Sequence, residues 1–324
     1  MNSSQNRAFK RLLDLSPLIL LVALTAIFAA IDQRVVSGQS LINIVSQATP
    51  IAVLAIGAMI VLLTAGIDLS AGVGVAFCAV LIASLVDAGF GLFPSLAIGL
   101  AVMLFVGFIN GIVISLLRIP PFVTTLAAMV VLQGATLAVA SKGVLILKDP
   151  TLRFIGIERS LGIPHVIFMT VIIVAAAAIL MRMTRFGLRT YALGSDAGAA
   201  ELAGIPVARH TVLIYMASGL FVFLTAAVMI SRVPVVTPNI GGTSLLLDAI
   251  AAAVLGGTSI FGGRGTVWGT VVGALIVSLL TTALRVFGTD PSSLELYKGA
   301  IIMAALLADT GMTLAKARLS GPAR

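Results

Sequence analysis

Ten apolar blocks follow one another along this chain, at 17–31, 48–64, 70–86, 94–117, 121–140, 164–181, 211–231, 245–258, 267–284 and 298–315. A helix needs about 20 mostly apolar residues to cross a bilayer, and shorter blocks fit broken crossings. Of the 324 residues, 60% are hydrophobic and 10% charged, against about 45–50% and about 25% in soluble domains. That little polar surface cannot coat a water-soluble fold. It also excludes a disordered chain, a fibre or a nucleic-acid-binding domain. The expected fold is all-α: a polytopic membrane bundle of about ten helices, some broken, forming one domain over 1–324.

Charge placement orients the bundle. Lys and Arg concentrate in cytoplasmic loops. Arg7, Lys10 and Arg11 precede the first block, and Lys316 and Arg318 follow the last. Ten crossings put both termini on one side, expected to be cytoplasmic. The start mimics a secretory signal, with Ala29 and Ala30 as small residues for cleavage, but further blocks favour a retained anchor. The stretch 182–210 carries Arg182, Arg185, Arg189 and Arg209, as a cytoplasmic loop should. The loop 141–163 conflicts: parity puts it outside, yet it holds Lys142, Lys148, Arg153 and Arg159. The net charge of +8 is therefore read as lipid-facing loop charge. One cysteine, Cys78, excludes an internal disulfide, and the distant His165 and His210 make a metal site unexpected. No Gly-Lys pair occurs, so a phosphate-cradling loop is missing and no cofactor is expected. If the chain moves solute with ATP, another polypeptide must bind the nucleotide.

Three motifs stand out. Thr64–Gly74 interrupts two apolar blocks with glycines and Asp68. A helix broken inside a membrane needs its freed backbone groups satisfied, and such breaks favour substrate sites and hinges. Alternatively, Asp68 or Ser70 simply caps the next helix; the two readings are compatible. In the second motif, Arg182–Pro206, Ser195 or Asp196 can cap a short helix through Leu202, with Gly204 ending it and Pro206 preventing continuation. Ala199, Ala200 and Ala203 would leave a small-residue face for another protein, or merely belong to a well-capped loop. In the third, Leu247–Gly265, Asp248 adjoins a membrane run, either as a functional carboxylate or as a helix-start cap. Asn110, Thr124, Thr125 and Gln133 either line a pathway for a hydroxylated solute or join helices by hydrogen bonds. Trp268 and Tyr297 read as interface anchors. Gly66–Gly72 and Gly263–Gly269 also echo each other weakly, as an internal repeat or by chance.

In order, several segments resemble the permease subunit of ribose-type ABC sugar importers of bacteria. These are Gly66–Ser70, Asn110-Gly111, Pro121-Phe122, Thr125-Leu126, Phe186–Arg189, Tyr191–Gly194, Ala199-Ala200, Gly204-Ile205, Leu247–Ala252 and Gly256–Gly265. Two positions depart from that pattern, where the family usually has Asn near Asp196 and Arg at Leu188. The resemblance implies a subunit that moves a ribose-type monosaccharide or similar polyol across the bacterial inner membrane. Its implied partners are a second permease copy, identical or related, an ABC ATPase that binds the ATP, and a periplasmic sugar-binding protein. Residues about 195–205 would form the coupling helix, with Arg185, Gly187, Ser195, Asp196, Ala199, Ala200 and Gly204 facing the ATPase. Asp68, Ser70, Asn110, Thr124, Thr125, Gln133 and Asp248 are the expected pathway or gate residues, and no catalytic or metal residue is expected. The competing expectations are a nucleoside or amino-acid importer permease and an ion-coupled transporter using Asp68 and Asp248. An intramembrane enzyme would need a catalytic cluster, and none is visible.

Overall fold

The computed structural model describes residues 15–140, 143–290 and 292–304. The basic termini, and the last expected crossing beyond 304, lie outside the described residues. The helices are α1 (Ser16–Ile31), α2 (Gly38–Leu62), α3 (Ser70–Asp87), α4 (Leu92–Ser115), α5 (Pro121–Val139), α6 (Pro150–Gly156), α7 (His165–Met183), α8 (Arg185–Ser195), α9 (Ala197–Leu202), α10 (Val207–Arg232), α11 (Gly242–Leu255) and α12 (Val267–Val286). Residues 292–304 are also helical.

Among the described residues, seven helices are long and apolar enough to cross a membrane: α2, α3, α4, α5, α7, α10 and α12. The all-α, polytopic bundle with some short or broken helices is borne out, and the tenth expected block, 298–315, is described only to 304. α1 has 16 residues and α11 has 14, both apolar but shorter. α2 starts ten residues before the expected block. Gln39, Asn43, Ser46, Gln47 and Pro50 look like a boundary in the sequence. Instead Ser37 caps the helix, Gln39 donates to Asn43 at 3.0 Å, and Pro50 sits in the interior. The loop 141–163 is partly structured. It holds α6, capped by Asp149, and Leu145–Ile146 pairs antiparallel with Val235–Val236.

From Thr49 to Leu63, α2 is buried at every position and forms the centre of the bundle. α10 and α12 pack against it, and α4 packs against α10. α3 and α11, each preceded by a break in the chain, fill corresponding places: α3 lies on α10 and α4, and α11 lies on α2 and α12. The weak echo noted above therefore joins segments in unequal places, since Gly66–Gly72 leads into α3 and Gly263–Gly269 leads into α12. The break matching 63–69 is 233–241. Without a hydrophobic force between helices in lipid, close backbone approach holds them together. A Cβ at Gly107 would collide with the Tyr215 carbonyl, one at Gly219 with the Met103 carbonyl, and one at Gly72 with the Gly242 carbonyl.

Candidate functional site

Two places gather most of the expected residues. The first is the break between α2 and α3. α2 closes with Ala65 in the left-handed region (φ 56°) and Gly66 donating to the Val61 carbonyl. Asp68 then stands one residue before the N-cap of α3, with 9% of its surface exposed. Its Oδ1 accepts from the backbone N–H of Ser70 at 3.0 Å and from the Ser70 hydroxyl at 2.5 Å. Its Oδ2 accepts from the Ser218 hydroxyl at 2.7 Å, and Asn110 donates to Ser70 Oγ at 3.2 Å. Capping and tying helices thus coexist at Asp68. The knot joins α3, α4 and α10 around a void of about 10 Å³, about the size of one water. Thr125 donates to the Ile67 carbonyl at 3.1 Å and so joins α5 to the same break. Thr124 is buried one residue away.

Gln133 and Asp248 stand apart from the knot. Gln133 lines a separate cavity of about 250 Å³ with Thr136, Asn239, Thr243 and Ser244, between α3, α5 and the start of α11. Asp248 is the seventh residue of α11, so it caps no helix start, and that expectation is corrected. It pairs with Lys298 at 2.7 Å, and Lys298 also reaches Glu295 at 2.8 Å. A buried ammonium needs such partners. Ser218 and Lys298 were missed in the sequence. Ser218 is one of several hydroxyls in its block and Lys298 stands at the edge of the last one, and only the Ser218-Gly219 pair hinted at close packing.

The second place is the hairpin α8–α9. Thr184 caps α8, accepting from Phe186 N. Of the two candidate caps for α9, Asp196 accepts from Ala199 N at 2.9 Å, while the Ser195 hydroxyl donates back to Tyr191. Gly204 closes the helix at φ 80°, with Gly204 and Ile205 donating to Glu201 and Ala200. Ala199 and Ala203 are exposed, but Ala200 is 4% exposed, so the proposed small-residue face loses its middle alanine to the fold. Leu202 (93% exposed) and Leu188 are apolar and open instead. Arg185 is exposed on the first turn of α8. Gly187 is buried, where a Cβ would meet the Met181 carbonyl.

Three latches hold this hairpin. Phe186 packs on His210 with ring centroids 5.3 Å apart, and Thr190 Oγ1 lies 2.9 Å from His210 Nε2. Tyr191 donates its hydroxyl to the Gly265 carbonyl at 2.8 Å; burial raises its phenol above the usual range, so it stays a donor. Gly194 lies so close to Leu63 that a Cβ would enter the carbonyl oxygen of Leu63. Gly263 N donates to that same oxygen at 2.9 Å, capping α2. Residues 256–265 thus form one assembly with α8 and the end of α2, with Phe261 exposed at its tip.

Residues 40–308 match the family described as branched-chain amino acid transport system, permease component. This chain is a member of that permease family. Its relatives include the ribose import permease protein of Escherichia coli K12, 33% identical over 92% of this chain and 94% of the relative. The ribose import permease protein of Bacillus subtilis is 34% identical, over 91% and 92%. The fructose import permease protein of Rhizobium meliloti is 32% identical, over 90% and 84%. No solved structure shows a significant match. Membership makes this permease a multi-pass membrane protein, in agreement with the seven apolar helices.

Proposed function

We propose that this permease is the membrane subunit of an ATP-binding-cassette importer that carries a small sugar across the bacterial inner membrane, with both termini cytoplasmic. Relatives named for ribose and fructose import support the cargo class. The hydroxyl- and amide-lined cavity at Gln133, Thr136 and Asn239 suits a polyol, whose hydroxyls need paired donors and acceptors. Hydrolysis belongs to a partner ATPase, delivery to a periplasmic sugar-binding protein, and a second permease copy completes the membrane core.

The observation that carries the mechanism is the backbone contact between Gly194 and Leu63. Leu63 ends α2 five residues before Asp68, and Asp68 ties α3 to α10. A push on the hairpin from an ATPase therefore meets rigid backbone, with no side chain between to absorb it. Packed interfaces switch between discrete arrangements instead of deforming smoothly, so hairpin movement becomes movement at the knot. The permease does no chemistry on its cargo.

Ala199→Arg tests the docking face. Ala199 is exposed, so the substitution leaves the fold intact and places a bulky charge on the surface offered to the ATPase. Sugar uptake by cells expressing the whole importer should fall to background, and the ATPase should no longer co-purify. Unchanged uptake with the ATPase still bound would overturn the assignment. Leu202→Asp, at the most open apolar side chain of the hairpin, should do the same.

A further inference from the structure

A cavity of about 700 Å³ lies beside the Tyr191–Gly265 latch and apart from the knot at Asp68. It opens where the first turn of α1, the end of α7 and the start of α12 meet, beside the base of the hairpin. Arg182 and Arg264 line it, together with Trp268, Met181, Val267 and the ring of Tyr191. None of its lining residues is acidic. Among the described residues, neither guanidinium belongs to an ion pair. Both arginines are exposed, and Trp268 is 62% exposed.

The surroundings identify the occupant. α1 and α7 are peripheral: most of α1 and most of α7 lie outside the packed interior, with Ile19, Val22, Ile172 and Ile179 open. In a membrane those faces meet acyl chains. The cavity thus has an apolar flank open to lipid and a basic end at the depth where an indole ring sits among headgroups. The first helical N–H groups of α12 lie at the same end, where Thr266 satisfies that of Gly269. Basic pockets between membrane helices bind anionic headgroups. The apolar flank favours a lipid over a free anion, because a soluble phosphate gains nothing from Met181 and Val267.

We propose that this cavity is a binding site for one anionic phospholipid. Its headgroup phosphate is held between Arg182 and Arg264 under Trp268, and an acyl chain lies along the outer faces of α1 and α7. The site ties lipid to both arms of the assembly around Leu63, since Arg182 leads into α8 and Arg264 sits in the loop that caps α2.

The test is native mass spectrometry of the full chain in neutral detergent, titrated with phosphatidylglycerol, with phosphatidylcholine of the same chains, and with inorganic phosphate. One phosphatidylglycerol should stay bound at concentrations where neither alternative does. Each arginine near a lipid surface is worth about 1 kcal/mol, so Arg182→Gln with Arg264→Gln should weaken that binding about 30-fold and either single variant about 5-fold. Arg153→Gln with Arg159→Gln removes equal charge from exposed positions outside the cavity and should change nothing. Equal binding of phosphatidylcholine would overturn the role of charge, and equal binding of inorganic phosphate would make this a soluble-anion site. Full affinity in the folded double variant, judged by an unchanged thermal transition, would overturn the proposal. If the double variant does not fold, the single variants decide on the same criterion.

Discussion

Asp68→Ala should abolish sugar uptake and lower the thermal transition of the purified permease sharply. Three donors point at this buried carboxylate, namely the Ser70 N–H, the Ser70 hydroxyl and the Ser218 hydroxyl. A buried donor left without a partner costs about 1–3 kcal/mol. With partial relaxation, the total loss is about 3–5 kcal/mol, at the severe end for one substitution. Asp68→Asn separates structure from charge. Its Oδ1 keeps both Ser70 bonds, while its amide donates to Ser218, whose hydroxyl can turn to accept. That variant should lose about 1 kcal/mol and keep transport that depends on the ATPase. If Asp68→Asn instead stays folded and stops transport, the charge itself is used, and an ion-coupled mechanism takes the place of the passive one proposed. Adding Asp248→Asn extends the test: Lys298 keeps Glu295 as a partner, so uptake should survive.

Gly194→Val should separate docking from transmission. In an open helical position, Gly→Ala stabilises by about 1 kcal/mol. Here even alanine should destabilise, because its Cβ would enter the Leu63 carbonyl oxygen. Overpacking of this kind costs about 1–3 kcal/mol. Valine should push α8 off the end of α2 and strain the Gly263 bond to Leu63 and the Tyr191 bond to Gly265. Ala199 and Leu202 remain exposed, so the ATPase should still co-purify while uptake falls by at least about tenfold, the loss expected for about 1.4 kcal/mol of lost coupling. Full uptake would show that force does not pass through Leu63. Loss of both uptake and ATPase binding would show that the hairpin had been displaced as a whole. Ala199→Arg shows the complementary pattern, with association lost and the fold unchanged.

What could be read from the chain was local. The α9 turn follows from Asp196, Gly204 and Pro206, because its cap and its termination are hydrogen bonds between residues at most five apart. The apolar blocks announced the membrane helices, because crossing length and hydropathy are properties of continuous sequence. Asp68 was visible as an oddity, and its bond to Ser70 is equally local. Errors arose where neighbours mislead. Pro50 and the polar residues ahead of it look like a helix boundary, yet α2 runs through them, started by the Ser37 cap and the Gln39–Asn43 bond on an open surface and packed on every side only from Thr49 onward.

Tertiary structure alone supplied the long-range pairs. Asp68 meets Ser218 across 150 residues of chain, Tyr191 meets Gly265, and Asp248 meets Lys298. Nothing in the spacing of those residues encodes their meeting, which depends on how α2 crosses α10 and α12. The same holds for Gly194 and for Ala200, whose burial reflects the helices beside them. Apolar pattern and local hydrogen bonding decided which segments become helices. Close backbone packing decided which polar groups face one another, because in lipid small residues, not hydrophobicity, select which helices touch.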